Sequence, residues 1–128
     1  MLAKVRSVGI YVSDQQRALD FFTEKLGCEL VVDAPMGEGP EAARWIEVKL
    51  PRDDTKLILF TPEGQEDRVG TFSNVIFQCD DMEKTYEELS AKGVEFPTPP
   101  EYASWERWWA VFTDPDGNKY GLGLESEG

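Results

Sequence analysis

The 128-residue chain carries 25 acidic residues and no histidine, and those two facts decide most of the chemistry open to it. No histidine-containing metal site can form, and the cysteine–histidine pairing that activates a thiol nucleophile is unavailable. An all-carboxylate cation site remains conceivable. The densest acidic motif is Asp114-Pro115-Asp116-Gly117-Asn118. Pro and Gly at those places make a hairpin turn, with Gly117 supplying a positive φ, so the motif reads as a turn rather than a metal loop. The candidate acids or bases are Tyr11, Glu47 or another ionisable side chain. A tyrosine normally titrates near 10, so Tyr11 needs a strongly perturbed environment to act as a base. No serine-centred elbow and no phosphate-cradling glycine loop is present.

Binding chemistry is better represented. The chain has four tryptophans, Trp45 and the close group Trp105, Trp108 and Trp109. Large rigid aromatics suit ligand and subunit interfaces, and they equally serve as core plugs or a dimer seam. Arg44 and Arg107 precede Trp45 and Trp108 and either hold an anionic ligand group or pair with Glu47 and Glu106. In so acidic a chain, salt bridging is the expected use.

The elements that position these residues are written twice. Ser7-Val8-Gly9-Ile10-Tyr11-Val12-Ser13-Asp14 returns as Asn74-Val75-Ile76-Phe77-Gln78-Cys79-Asp80-Asp81, an offset of 67 (74 − 7). Each copy predicts a strand feeding a capped helix, over residues 4–12 and 71–79. Ser13-x-x-Gln16 and Asp80-x-x-Glu83 fit capping boxes. Ala18, Phe21, Phe22 and Leu26 mark one apolar helix stripe, Met82, Tyr86 and Leu89 the other, and Gly27 and Gly93 the stops. Strands follow at 28–32, 42–50 and 56–61, with a Gly- and Pro-rich loop at 33–40. In the second copy they follow at 94–96, 107–112 and 119–124. The strand at 94–96 is predicted to be short because Pro97, Pro99 and Pro100 cut it off. Arg44-Trp45-x-x-Val48 aligns with Arg107-Trp108-x-x-Val111, an offset of 63 (107 − 44), so Trp45 and Trp108 read as repeat partners.

A net charge of −12 excludes nucleic acid and anionic membrane surfaces as partners, since both need a basic patch. No stretch reads as a signal peptide or a membrane span. Two cysteines far apart predict reduced thiols and a cytoplasmic location.

The strand end Val12-Ser13-Asp14, the run Ala18-Leu19-Asp20-Phe21-Phe22-Thr23-Glu24-Lys25-Leu26-Gly27 and the Asp114–Asn118 turn resemble the vicinal oxygen chelate superfamily. That group contains glyoxalase I, the bleomycin-resistance proteins and the extradiol dioxygenases. The resemblance implies an α+β fold of two βαβββ modules in tandem, whose curled mixed sheets face each other around a cavity. It implies a single domain over 1–128, with module one at about 1–64 and module two at about 70–128, completed by homodimerisation. Enzymes of the family bind a divalent metal through His, Glu or Gln on the first and last strands of each module. Carried over, those positions are Ser7 and Asn74 on the first strands, Gly121 on the last strand of module two, and Ile58 or Leu59 in module one. This set cannot form the carboxylate and imidazole shell of such an ion, so no metal and no cofactor are expected.

By strand parity the face opposite the helices carries Ser7, Gly9 and Tyr11, then Asn74, Ile76 and Gln78, with Gly121 and Gly123 from the last strand. The glycines either leave room for a ligand or mark strong twist and close backbone approach. Cys79 falls by parity on the helix-facing side, where a small buried thiol is ordinary. The expected function is metal-independent binding of a small organic ligand or drug in the cavity between modules, as in bleomycin-resistance proteins. Its candidate binding residues are Ser7, Tyr11, Asn74, Ile76, Gln78, Trp45, Trp108, Trp109 and Gly121. The alternative is an enzyme (a lyase, isomerase or dioxygenase-like relative) that uses Tyr11 or Glu47 as acid or base, or an unusual metal site. A purely structural homodimer is the third reading.

Overall fold

The structure, a computed structural model, describes every residue except 41, 62, 105 and 125–128. Trp105 therefore lies outside the described residues. Strand β1 (Ser7–Tyr11) feeds helix α1 (Gln15–Asp20), which continues as a π-helical turn over Phe21–Lys25. Strands β2 (Glu29–Pro35), β3 (Arg44–Lys49) and β4 (Lys56–Phe60) follow, and a 3-10 turn at Glu66–Arg68 ends the first pass. The second pass repeats the order as β5 (Phe72–Cys79), α2 (Met82–Ala91), β6 (Glu95–Tyr102), β7 (Trp108–Thr113) and β8 (Lys119–Leu124). The chain divides into two compact units, Met1–Val69 and Gly70–Gly128.

Each unit is one four-stranded mixed sheet with a helix. The orders are β1-β4-β3-β2 and β5-β8-β7-β6, and in each the first and last strands pair in parallel while the other pairs are antiparallel. The α+β architecture of tandem βαβββ modules is thus the one the sequence repeat implies. Alternation decides the faces. In unit one Ile10, Val12, Ile46, Val48 and Leu59 are fully buried with Phe22, and in unit two Ala110, Phe112, Tyr120 and Leu122 do the same work. Burying a side chain such as Phe22 stabilises the fold by about 1.5–3 kcal/mol.

Both helices start one residue later than the capping boxes predict. Asp14 accepts from the Arg17 amide at 3.0 Å and Asp81 from the Lys84 amide at 3.0 Å. Each copy offers two capping residues in a row, and the second wins, so the offset of 67 survives (81 − 14). Gly27 and Gly93 end the helical segments at positive φ, +80° and +89°. Strand β2 runs on through Asp33, Ala34 and Pro35, which the sequence reading assigns to a loop.

The larger departure is β6, which passes straight through Pro97, Pro99 and Pro100. It is an edge strand with its partner β7 on one side only, and its register breaks between Glu95 and Thr98 and again between Thr98 and Glu101. Proline is tolerated where no ladder hydrogen bond is asked of its nitrogen, and an irregular edge supplies such places.

The Asp114–Asn118 motif is a turn. One Asp114 carboxylate oxygen accepts from the Asp116 and Asn118 amides at 2.9 and 3.0 Å. The other accepts from Asn118 Nδ2 at 2.8 Å and the Tyr120 hydroxyl at 2.6 Å. Gly117 takes φ +81°, and the Asn118 side-chain oxygen Oδ1 accepts from the Gly70 amide at 2.6 Å.

Candidate functional site

In unit one the open sheet face is built from side chains two apart. Gly9, Ile58 and Glu47 form one row across β1, β4 and β3, and Tyr11 pairs with Phe60 in the next. Trp45 stands two residues from Glu47 on the same face. A cleft of about 940 Å³ opens here, lined by Gly9, Ile58, Phe60, Trp45, Arg44 and Met36 among others, with Glu63 and Glu66 at its loop side. Its volume falls in the range that holds drug-sized organic molecules.

The side chains around it are mutually fixed. The Trp45 indole N–H donates to Glu47 Oε2 at 2.6 Å, and Glu47 is 4 % exposed. The Tyr11 ring meets Phe60 edge-on at 4.8 Å, and the Arg68 guanidinium sits 5.0 Å from the Tyr11 ring centroid. Arg44 makes a two-pronged ion pair with Asp33, at 3.0 Å from Nε and 2.7 Å from Nη2, and donates from Nη1 to Gln16 Oε1 at 2.9 Å. Asp33, not Glu47, is thus its carboxylate partner, because Asp33 lies on the adjoining strand two register steps from Arg44. The Arg44 hydrogen bond holds the Asp33 carboxyl below its usual range.

Gln15 is a residue that sequence reasoning missed. Its amide nitrogen donates to the Arg44 and Leu59 carbonyls at 2.6 and 2.8 Å, and its oxygen accepts from the Arg44 amide at 3.0 Å. Strand β4 ends at Phe60, so the side-chain amide extends the ladder past it and holds the Arg44–Trp45 segment beside the cleft. The repeat itself carried the signal, a polar Gln15 where the other copy has Met82 (15 + 67).

Gly9 and Gly121 mark close approach, and Gly123 does not. A Cβ on Gly9 would meet Phe60 Cε1 at 2.6 Å, and one on Gly121 would meet Ile76 Cγ1 at 3.0 Å, whereas one on Gly123 meets nothing within 4 Å. Ladder pairing also fixes the repeat. Gly9 pairs with Ile58 and Ile76 with Gly121, so Ile58 rather than Leu59 is the counterpart of Gly121. Glu47 pairs with Ile58 and Val111 with Gly121, which makes Trp109, not Trp108, the partner of Trp45 (109 − 45 = 64). The sequence alignment placed its gap one residue off. Each register-matched indole donates to a glutamate, Trp109 to Glu101 Oε1 at 3.0 Å.

The predicted binding residues accordingly divide. Ser7, Tyr11 and Trp45 share the open face of unit one. Ile76, Gln78, Gly121 and Trp109 share one face of unit two, where Gln78, Gly123 and Trp109 stand in a row. Trp108 alternates to the other face and borders a hollow of about 590 Å³ with Met82, Tyr86, Pro99 and Pro100. Asn74 leaves the ladder. It has φ +66° inside a register break between Phe72 and Ile76, while Ser7 pairs regularly with Lys56. The two are partners in sequence and not in geometry.

The metal-ligand positions of the resembled family therefore hold a hydroxyl, an aliphatic side chain, a bulged amide and a glycine. Those donors do not fit a divalent ion. Among the described residues no three of His, Cys, Asp and Glu converge on a metal-sized site.

A family profile described as the Glyoxalase/Bleomycin resistance protein/Dioxygenase superfamily matches residues 4–122. The uncharacterised protein YetH of Bacillus subtilis (strain 168) is 35% identical over 120 residues, covering 94% of this chain and 97% of its own. A crystal structure of a Glyoxalase/bleomycin resistance protein/dioxygenase superfamily member from Sphaerobacter thermophilus DSM 20745 superposes with a TM-score of 0.86 at 34% identity, over 97% of this chain and 98% of the other. TnmS3, an antibiotic binding protein from Streptomyces sp. CB03234, superposes with a TM-score of 0.79 at 29% identity, over 98% of each chain.

Proposed function

The chain belongs to the Glyoxalase/Bleomycin resistance protein/Dioxygenase superfamily, and on that premise we propose that it is a metal-independent binder of a small organic molecule. The observation that carries this reading is the cleft of about 940 Å³ on the open face of unit one, walled by Trp45, Phe60 and Ile58. Aromatic and aliphatic walls with a few placed polar groups suit an organic ligand. The antibiotic binding protein among the structural relatives supports the same class of function. Metal independence is supported by the donor chemistry at Ser7, Ile58, Asn74 and Gly121, and no step through a metal is derived.

Two subsidiary readings accompany it. The protein works as a homodimer, a reading supported by exposed Leu30, Val31 and Tyr102 on the edge strands β2 and β6, and light scattering after gel filtration tests it. It works in the cytoplasm, which suits its free Cys28 and Cys79. Among the described residues no helix is long and apolar enough to cross a membrane.

The deciding experiment is a thermal-shift screen of metal-stripped protein against divalent ions and a broad panel of organic compounds. A ligand at a hundredfold excess over its Kd adds about 2.7 kcal/mol of apparent stability, so moderate binders register. Stabilisation by an organic compound and by no metal is expected. Stabilisation by Mn²⁺, Ni²⁺, Fe²⁺ or Zn²⁺ with no organic hit overturns the proposal.

A further inference from the structure

Unit two has a hollow of its own, about 590 Å³, on the helix-covered face of its sheet. Trp108 shares that face of β7 with buried Ala110 and Phe112, and Tyr86 of α2 reaches it through Phe96. Trp109 and Gly123 lie on the opposite face. By ladder register Trp108 stands where unit one has Arg44 (108 − 64), and Met82 stands where unit one has Gln15 (82 − 67). Unit one closes this place with polar bonds, from Gln15 to Arg44 and Leu59 and from Arg44 to Asp33. Unit two puts two apolar side chains there instead, and Trp108 is left 44 % exposed.

The apolar wall is fixed in advance. Tyr86 meets Phe96 edge-on at 4.8 Å, and Pro99 and Pro100 contribute rigid rings. A preformed wall takes a ligand at little cost in ordering. The prolines also bring no N–H, so at those two positions the backbone has no donor for an anion. Three carboxylates, Asp80, Asp81 and Glu83, line the hollow as well, and no lysine or arginine is among the described residues that do. Those of Asp80 and Glu83 make no hydrogen bond or ion pair with the described residues. Lys84, next along the helix, turns to Glu88 at 3.9 Å. The start of α2 adds roughly half a positive charge, much less than three carboxylates carry.

We propose that this hollow is a second binding site, for a small organic cation: an ammonium group on a flat apolar body. The body lies on Trp108 and the proline wall, and the ammonium faces the carboxylates, with the indole face adding attraction for the charge. The volume lies within the range of small-molecule sites. A second copy of this chain fits the site less well, since it brings its own net charge of −12 to an acidic lining. Every residue of the site belongs to unit two, so it does not rest on the reading of the cleft in unit one.

Three probes of one shape test this by NMR titration of the isotope-labelled full chain: naphthylmethylamine, naphthylmethanol and naphthoate. The amine is expected to shift the Trp108 indole signal and the Met82 amide. It is expected to bind about three- to tenfold more tightly than the alcohol, the scale of exposed charge pairs, with naphthoate weakest. Asp80→Asn combined with Glu83→Gln, two exposed positions, should remove the amine's advantage and leave the alcohol unchanged. Failure of the amine to shift Trp108, equal binding of amine and alcohol there, or an advantage that survives the double variant overturns the site. A Trp108→Ala chain that falls from dimer to monomer in light scattering assigns the hollow to a second copy and overturns it too. If the double variant does not fold, the wild type decides: the amine's advantage over the alcohol must be present at low salt and shrink as salt is raised.

Discussion

The Phe60 ring lies across Gly9, with Cε1 2.6 Å from where a Cβ on Gly9 would stand. Strand β1 thus gives up a side chain so that β4 can turn an aromatic over it, and that ring walls the cleft and meets Tyr11 edge-on. Gly9→Ala must displace the ring, since Cβ contacts under 3.0 Å do not occur. The expected cost is about 1–3 kcal/mol, the usual scale of overpacking, together with weaker binding of whichever ligand the panel identifies. Gly123→Ala, with nothing within 4 Å of its Cβ, is the control and is expected to melt within a degree or so of the wild type. Equal melting temperatures for both variants would contradict the close-approach account.

Asp114 sits 6 % exposed beneath four hydrogen bonds, and burial nevertheless pushes its carboxyl above the value of 3.8 it has in an unfolded chain. The sign follows from linkage. A group whose folded pKa is raised contributes stability that is present below the unfolded value and is lost as pH rises through the folded value. Asp114→Asn keeps the shape but turns an NH₂ toward the Asn118 side-chain amide, at an expected cost of about 1–3 kcal/mol. In urea unfolding, the advantage of the wild type over Asp114→Asn is expected to shrink as pH rises from about 4 towards neutrality. An advantage that grows over that window would mean the four hydrogen bonds outweigh burial.

Much of the fold was legible because duplication wrote every signal twice. A strand, two consecutive capping residues and a terminal glycine at one offset leave little freedom in the order of elements. The reading failed where one-dimensional spacing meets two-dimensional pairing. The prolines of β6 argue against a central strand, and only the sheet order reveals that β6 is an edge. The choice between Trp108 and Trp109 turns on a one-residue gap, and a one-residue slip moves a side chain to the opposite face. At the site, the absence of histidine and the composition of the metal positions were plain from the sequence. The Trp45–Glu47 bond and the Gln15 bridge were not, because both depend on which residues a strand brings opposite one another.

The two thiols are expected to differ in reactivity. Burial pushes Cys28 up to about 12, and it raises Cys79 as well, with a Thr85 hydrogen bond acting the other way. The thiolate is the reactive form, so neither is a nucleophile near neutral pH. Titration of the native protein with an aromatic disulfide reagent at about pH 8 should modify Cys79 slowly and leave Cys28 untouched until denaturant is added. Fast labelling of Cys28 in the native state would show that the packing around it opens readily.

Gln15 stands in for a strand residue where β4 has ended, so its removal should act locally before it acts globally. Three hydrogen bonds at 2.6, 2.8 and 3.0 Å tie it to Arg44 and Leu59. Gln15→Met places in unit one the residue that unit two has at the matching position, Met82. It preserves bulk and helix propensity while stranding the Arg44 amide and two carbonyls. The expected loss is about 1–3 kcal/mol in global stability. A larger relative effect is expected on amide exchange at Arg44, which should speed more than exchange at Val48 deeper in the same strand. Ligand affinity should fall as well, because the Arg44–Trp45 segment is no longer held against β4. If exchange at Arg44 and Val48 rises equally, the bridge contributes only general stability and the cleft wall is held by the ladder alone.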